Sequence, residues 1–237
     1  MTDFNYVGTE LELFATAHNW KSYLSRRIRP FVAGEVLEVG AGIGANTPFL
    51  DRGVSPRWLC LEPDRLMAAR LRLNLKQANA PRAYEVVCGP LQCLKARPQF
   101  DTVVYIDVLE HIEHDREELN AAAILLRAGG RLIVLSPAHQ WLFSPFDAAI
   151  GHHRRYDRRM LRSISPAGLR LEQLWYLDSV GLLLSFANRQ FLRQSVPTNA
   201  QIRFWDRYVV PASRVLDRCL FGSAGKSIVG IWRREPG

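Results

Sequence analysis

Lysine is scarce in this chain: it stands only at positions 21, 76, 95 and 226, so a net charge of +8 is carried almost wholly by arginine. Cysteine is equally sparse. Cys60, Cys88, Cys93 and Cys219 form no C-x-x-C pair and have no histidine at zinc-like spacing, which excludes a disulfide-stapled scaffold and argues against a structural metal. No basic stretch followed by an apolar core stands near Met1, so no secretory signal is expected and a cytoplasmic location follows. Long apolar runs are missing as well. The most apolar stretch, after Ser179, is bounded by Asp178 and by Asn188-Arg189-Gln190 and is too short and too polar to span a bilayer; it reads as a core or lid helix, with peripheral membrane contact left open by the nearby arginines. Repeats, low-complexity tracts and linkers are also lacking. With 237 residues, one well-buried domain is expected.

What is present is an alternation of strand and helix patterns. Thr9-Glu10-Leu11-Glu12 reads as a capping box, and Leu11, Phe14, Ala17, Leu24 and Ile28 follow helical spacing up to Pro30, which predicts one helix ahead of the first strand. Then come strand 36–39, helix 46–50, strand 58–61, helix 64–77, strand 84–87, strand 102–106, helix 116–127 closed by Gly129-Gly130, and strand 131–135. Such alternation requires right-handed crossovers and a doubly wound parallel α/β sheet with helices on both faces. Beyond Pro137 the alternation stops. A polar loop, a strand near 169–175, helices over 179–192 and 201–220 and a strand at 227–232 complete the expectation.

The first strand runs into Glu38-Val39-Gly40-Ala41-Gly42-Ile43-Gly44-Ala45, a glycine turn that lets backbone approach a nucleotide and turn sharply into a helix. Gly40, Gly42 and Ala45 also satisfy the dinucleotide fingerprint, so an NAD-dependent oxidoreductase is one alternative. A carboxylate at the lip of the loop disfavours a diphosphate and suits a donor carrying ammonium and sulfonium charge, which is S-adenosylmethionine. Glu62, about twenty residues on at the end of the second strand, stands where a carboxylate accepts hydrogen bonds from a ribose. The strand ending Tyr105-Ile106-Asp107-Val108-Leu109-Glu110-His111 delivers three polar groups to the sheet edge where ligands of doubly wound folds bind.

Taken in this order and spacing, Glu38-Val39-Gly40-Ala41-Gly42-Ile43-Gly44, Leu61-Glu62-Pro63-Asp64 and Asp107-Val108-Leu109-Glu110-His111 resemble the class I S-adenosylmethionine-dependent methyltransferases of the type 11/12 group, over about residues 34–135. The resemblance implies a Rossmann-like sheet of seven strands, mostly parallel, with the last strand antiparallel. It implies a single methyltransferase domain over 1–237: a cofactor core at 34–135, an acceptor loop and helical lid at 136–226, and the last strand at 227–233. Carried over, Gly40, Ala41, Gly42 and Gly44 line the cofactor, Glu38 lies near its methionine amino group, Glu62 and Pro63 border the ribose, and Ile106, Asp107 and Val108 border the methionine portion. Many relatives have Gly-Asp after the third strand; here Cys88-Gly89-Pro90-Leu91 stands instead, which assigns adenine to Gly89, Pro90 and Leu91.

Methyl transfer asks for in-line approach, exclusion of water and somewhere for the acceptor's proton to go. His111 is the candidate base, or else orders the next helix; Asp147 and His152 are further catalytic candidates. Ser136-Pro137-Ala138-His139 and Gly151-His152-His153-Arg154-Arg155-Tyr156 resemble a subgroup of bacterial methyltransferases, many of which act in envelope saccharide or small-molecule biosynthesis. Arg154, Arg155, Arg158, Arg159 and Arg162 against Asp157 concentrate about +4 of charge, which calls for an anionic partner. His139, His153, Arg154, Arg155 and Tyr156 are accordingly acceptor-binding candidates, unless Asp147 pairs with one of the arginines to brace the loop. Trp20 and Tyr23 either close the pocket or belong to the core. The expected acceptor is a small molecule, anionic or linked to a saccharide or lipid. An RNA-binding or RNA-modifying protein is the third alternative, disfavoured because no recognition fold accompanies the arginines.

Overall fold

A computed structural model describes residues 10–51, 53–77, 84–187 and 198–235. Seven strands form one sheet: β1 (Val36–Val39), β2 (Trp58–Glu62), β3 (Glu85–Cys88), β4 (Phe100–Ile106), β5 (Leu126–Pro137), β6 (Leu169–Leu177) and β7 (Ser227–Arg234). Their order is β3-β2-β1-β4-β5-β7-β6. The pairs among β1 to β5 are parallel, and β7 lies antiparallel between β5 and β6. The expected sheet, with its antiparallel last strand, is the observed one.

β1 and β2 are buried on both faces, which is why they read as unbroken apolar runs. Leu37, Val39, Val103, Tyr105, Leu132 and Val134 face one core layer, while Val36, Cys60, Val104, Ile106, Ile133 and Leu135 face the other. The period of two along each strand thus divides the core into two layers. The helices are α1 (Glu10–Ala15), α2 (His18–Ile28), α3 (Thr47–Leu50), α4 (Arg65–Gln77), α5 (Asp115–Ile124), α6 (Pro145–Ala149), α7 (Arg158–Ser163), α8 (Ser179–Ala187), α9 (Asn199–Phe204) and α10 (Val210–Cys219). Through Leu119 and Ala122, α5 packs on the first layer, joined by Leu161 of α7; Trp20, Tyr23, Leu24 and Ile28 of α2, Leu71 and Leu75 of α4 and Val210 of α10 pack on the second. Asp64 caps α4, its Oδ1 accepting the N–H groups of Leu66 at 2.8 Å and Met67 at 2.9 Å.

Several expected boundaries move. The single N-terminal helix is two, because the Lys21 ammonium bonds the carbonyls of Phe14 and Ala15 and so ends α1; Thr9 of the expected capping box lies outside the described residues. Gly129 and Gly130 do not close α5. They lie inside β5, where the register against β4 shifts and Gly129 takes φ 77°. The expected helix 201–220 begins at Asn199 under a Thr198/Gln201 capping box and carries one wide turn over Trp205–Val209. Pro211 follows directly and has no N–H to continue the regular ladder. Residues 188–192 of the other expected helix lie outside the described residues. Among those described, no helix is long and apolar enough to cross a membrane.

Candidate active site

The site forms where β1, β2, β4, β5 and β6 end, and the backbone there is unusual. Asp107 just after β4, His139 just after β5 and Asp178 just after β6 hold φ of 53°, 67° and 66°. Non-glycine residues rarely adopt this region, and its recurrence along one edge marks a functional rim.

On the β1 side, the Gly40 and Ala41 N–H groups both donate to the Leu61 carbonyl, at 2.8 and 3.1 Å, which folds the loop back against β2. Gly40 has φ 65°, and a Cβ there would fall 2.6 Å from a Val108 methyl; at Gly44 it would fall 2.6 Å from Leu71. Only glycine lets the loop press against both the β4 turn and α4. Glu62 binds the loop from below: Oε2 accepts the Gly42 N–H at 2.8 Å and Oε1 the Asp64 N–H at 3.0 Å. Burial raises its pKa, and these two bonds oppose the rise.

Glu38 does not stand at the lip of the loop. It is 2% exposed inside the second core layer, where Oε2 accepts the Trp58 Nε1–H at 3.0 Å. Burial pushes its pKa up to about 7, against the opposing pull of the nearby Thr47 hydroxyl and of its bond from Trp58. Two residues on from Val36, Glu38 shares the face that Val36 turns to the second core layer, so the expected placement at the rim is corrected. Of the residues assigned to adenine, Pro90 is exposed, Gly89 donates its N–H to the Glu62 carbonyl at 3.0 Å, and Leu91 is packed into the first core layer. Ile106 belongs to the second layer, and Ala41, Pro63 and Val108 are half-buried about the loop.

The β4 turn supplies the polar groups. Asp107 is exposed at the tip of the turn; the protein packed beneath it displaces part of its water and pushes its pKa up to about 6, against the charges of His152, Lys21 and Lys226. Burial of the Lys226 ammonium lowers its pKa in turn. The Glu110 side chain is 1% exposed, and neither carboxyl oxygen makes a hydrogen bond of good geometry. Burial, then the charge of Asp107, holds its pKa well above the usual range. His111 is driven down to about 4, first by burial and then by the His152 charge, so it is a neutral imidazole at pH 7.

The segment after β5 folds back over this turn. Ser144 and Asp147 close a capping box on α6. Asp147, fully buried, accepts Arg155 Nε and Nη2 at 2.9 Å each, and its Oδ1 lies 2.9 Å from His152 Nδ1. Burial opposes its ionisation, but the bonds from His152, Arg155 and Ser144 outweigh it and hold the carboxyl well below the usual range. The His152 ring meets His111 edge-on, with centroids 4.5 Å apart, and His152 Nε2 lies 3.9 Å from Glu110 Oε1. The His153 N–H donates to the Glu110 carbonyl at 2.8 Å and so pins the two segments together.

The expected anion clamp is therefore taken up internally. Arg155 pairs with Asp147, while Arg154 pairs with Asp115 at 2.7 Å and donates to the Glu113 carbonyl at 2.7 Å. Arg158 donates to the Gly222 carbonyl at 2.7 Å. Tyr156 is fully buried and donates to Asp115 at 2.8 Å, and His139 stacks on Tyr176 with Nε2 3.0 Å from the Gly225 carbonyl. The His153 side chain is exposed. Trp20 and Tyr23 are core residues: the Trp20 N–H donates to Asp206 at 2.8 Å and the Tyr23 hydroxyl to Asp217 at 2.6 Å. Asp147 is braced too fully to be a base. The sequence places Glu110 at this sheet edge but gives it no role of its own; its deep burial beside His152 is what the structure adds.

A seven-stranded sheet of this order, with a glycine loop after β1 and an acid after β2, defines the class I methyltransferase fold. Residues 37–132 match the family described as a methyltransferase domain. This stretch, about two fifths of the chain, is a methyltransferase domain of the S-adenosylmethionine-dependent kind, and that donor is its cofactor. It is 28% identical over 207 residues to a demethylmenaquinone methyltransferase of Tropheryma whipplei, covering 80% of this chain and 82% of that one. It is 30% identical over 145 residues, 57% of this chain, to a protein of Salinispora arenicola named as a non-canonical nonribosomal peptide synthetase, of whose length it spans 2%. A crystal structure of an S-adenosylmethionine-dependent methyltransferase from Archaeoglobus fulgidus shares the fold, with a TM-score of 0.58, 17% identity and coverage of 94% and 97%.

Proposed function

We propose that this enzyme methylates an oxygen or nitrogen of a small organic acceptor that sits over Asp107 against His111 and His152, with the donor held by the Gly40–Gly44 loop and its ribose by Glu62. The observation that carries this reading is the packing of Val108 against Gly40, which sets the His111 turn directly beside the glycine loop. Donor and acceptor then meet at one sheet edge, and transfer needs little beyond alignment and exclusion of water. With Glu62 already holding the Gly42 and Asp64 amides, each carboxylate oxygen keeps a lone pair for a ribose hydroxyl. The name of the Tropheryma relative, a demethylmenaquinone methyltransferase, supports a small-molecule acceptor. Arg154 and Arg155 are paired internally, so an anionic acceptor would have to meet the exposed Arg159 or Arg162 instead.

The test is incubation with methyl-labelled donor and a fractionated cell extract. Label should enter a low-mass organic fraction and fall at least about tenfold in His152→Ala; label entering the protein or nucleic-acid fraction instead would overturn the reading. In parallel, Glu62→Ala should weaken S-adenosylhomocysteine binding in calorimetry by about tenfold or more, the worth of a charge-assisted hydrogen bond.

A further inference from the structure

We infer that Glu110, His111 and His152 form a binding site for one divalent transition-metal ion, at the turn after β4 where the acceptor is proposed to sit. One carboxylate oxygen and one nitrogen from each ring lie within 4.8 Å of one another. Tetrahedral ligation at about 2.0–2.1 Å needs donors about 3.3 Å apart, so closure asks for shifts of about 1 Å or less per side chain. His152 Nε2 and Glu110 Oε1 are already at 3.9 Å.

Two further observations point to an ion. The Glu110 carboxyl is buried and neither oxygen makes a hydrogen bond of good geometry, with Ser136 the nearby hydroxyl that eases its charge, an arrangement that costs free energy unless something occupies those lone pairs. His152 in addition has the support typical of a metal-bound imidazole: Asp147 takes the Nδ1 side at 2.9 Å and is itself locked by two bonds from Arg155, which directs Nε2 toward Glu110. His111 is steadied in the same way by the Gly151 backbone. Two imidazoles and one carboxylate suit Zn²⁺, Co²⁺, Fe²⁺ or Mn²⁺ and leave positions open for other ligands. Asp147 is in this scheme a positioning residue, as is Arg155.

An ion here would bind the acceptor through oxygen and deepen the proposed function, on which only this part of the inference rests. An ion-bound acceptor hydroxyl loses its proton to solvent more readily. The oxygen then attacks the donor methyl, the sulfur–carbon bond breaks, and its electron pair stays on sulfur as a neutral thioether. The ion is neither oxidised nor reduced.

The test uses the full chain stripped with a chelator, with neither donor nor acceptor present, so its failure leaves the methyltransferase reading untouched. Equilibrium dialysis against Zn²⁺ should find one tight ion per chain, and Co²⁺ should give a visible absorption band of low-symmetry coordination. His111→Ala and His152→Ala should each weaken Zn²⁺ binding by about a hundredfold and bleach the Co²⁺ band. His111→Ala leaves the Asp147–Arg155 pair intact, and His114→Ala, an exposed neighbour, should change nothing. Asp147→Asn should weaken binding about 10- to 100-fold with the three donors present, the usual effect of a supporting carboxylate. Binding unchanged in both His111→Ala and His152→Ala, or none tighter than millimolar, overturns the inference.

Discussion

The two ends of the sheet are built on opposite rules. At the amino end, Glu35 pairs with Arg57 at 3.6 Å and Arg127 at 3.1 Å, Asp101 with Arg127 at 2.8 Å, and Glu85 with Arg57 at 2.8 Å. Opposite charges face each other in the open, and the backbone is ordinary save at the glycines. At the carboxyl end, Glu110 and His111 are withdrawn from water, Asp107 beside them holds a left-handed backbone, and all three titrate away from their usual ranges. The comparison teaches that a basic, arginine-rich surface says little about function here, whereas buried polar groups with poor partners and strained backbone mark the site.

The sharpest way to break this contrast is at Asp147. If the loop over residues 144–156 is held by its buried ion pair, Asp147→Ala leaves Arg155 unpaired and should cost about 3–5 kcal/mol in urea unfolding. A loss under about 1 kcal/mol would show that the loop stands on its apolar contacts alone.

Glu38 probes the buried interior between the two ends. Its pKa lies near 7 in the folded protein against an ordinary 4.5, so the folded state holds the proton more tightly than the unfolded chain. Its contribution to stability is therefore full below pH 4.5 and is lost as pH rises through about 7. Glu38→Gln should flatten this part of the curve, a change on the order of 3 kcal/mol between the two limits. Urea titrations at pH 4 and pH 8 read it directly; an unaltered slope would show that Glu38 does not change its protonation in this window.

The smallest effect is expected at the amino end. The Arg57 side chain is 36% exposed and that of Glu85 53%. Arg57→Ala should cost no more than about 1 kcal/mol and leave S-adenosylhomocysteine affinity unchanged, because exposed ion pairs contribute little. A clear fall in affinity would mean that the two ends are coupled through β1 and β2.

The strand–helix alternation and the glycine loop were legible because they depend on spacing within a few residues: period two along a buried strand, and the absence of a Cβ where φ is positive. The tip of β4, with Asp107, Glu110 and His111, was legible for the same reason. The assignment of partners was not. Asp147 lies close in sequence to both Arg154 and Arg155, and only the path of the chain decided that Arg155 takes it while Arg154 reaches Asp115. Likewise Glu38 reads as a rim acid in sequence, yet its strand parity turns it inward against Trp58.

Local pattern, then, determined that this chain would form a doubly wound sheet with a nucleotide loop at one edge, because hydrophobic period and backbone freedom act over single turns and strands. Tertiary structure alone decided that His152 would rest beside His111 and Glu110. That meeting requires the loop after β5 to double back under the pull of a buried ion pair, and such long-range closure leaves no periodic trace in the sequence.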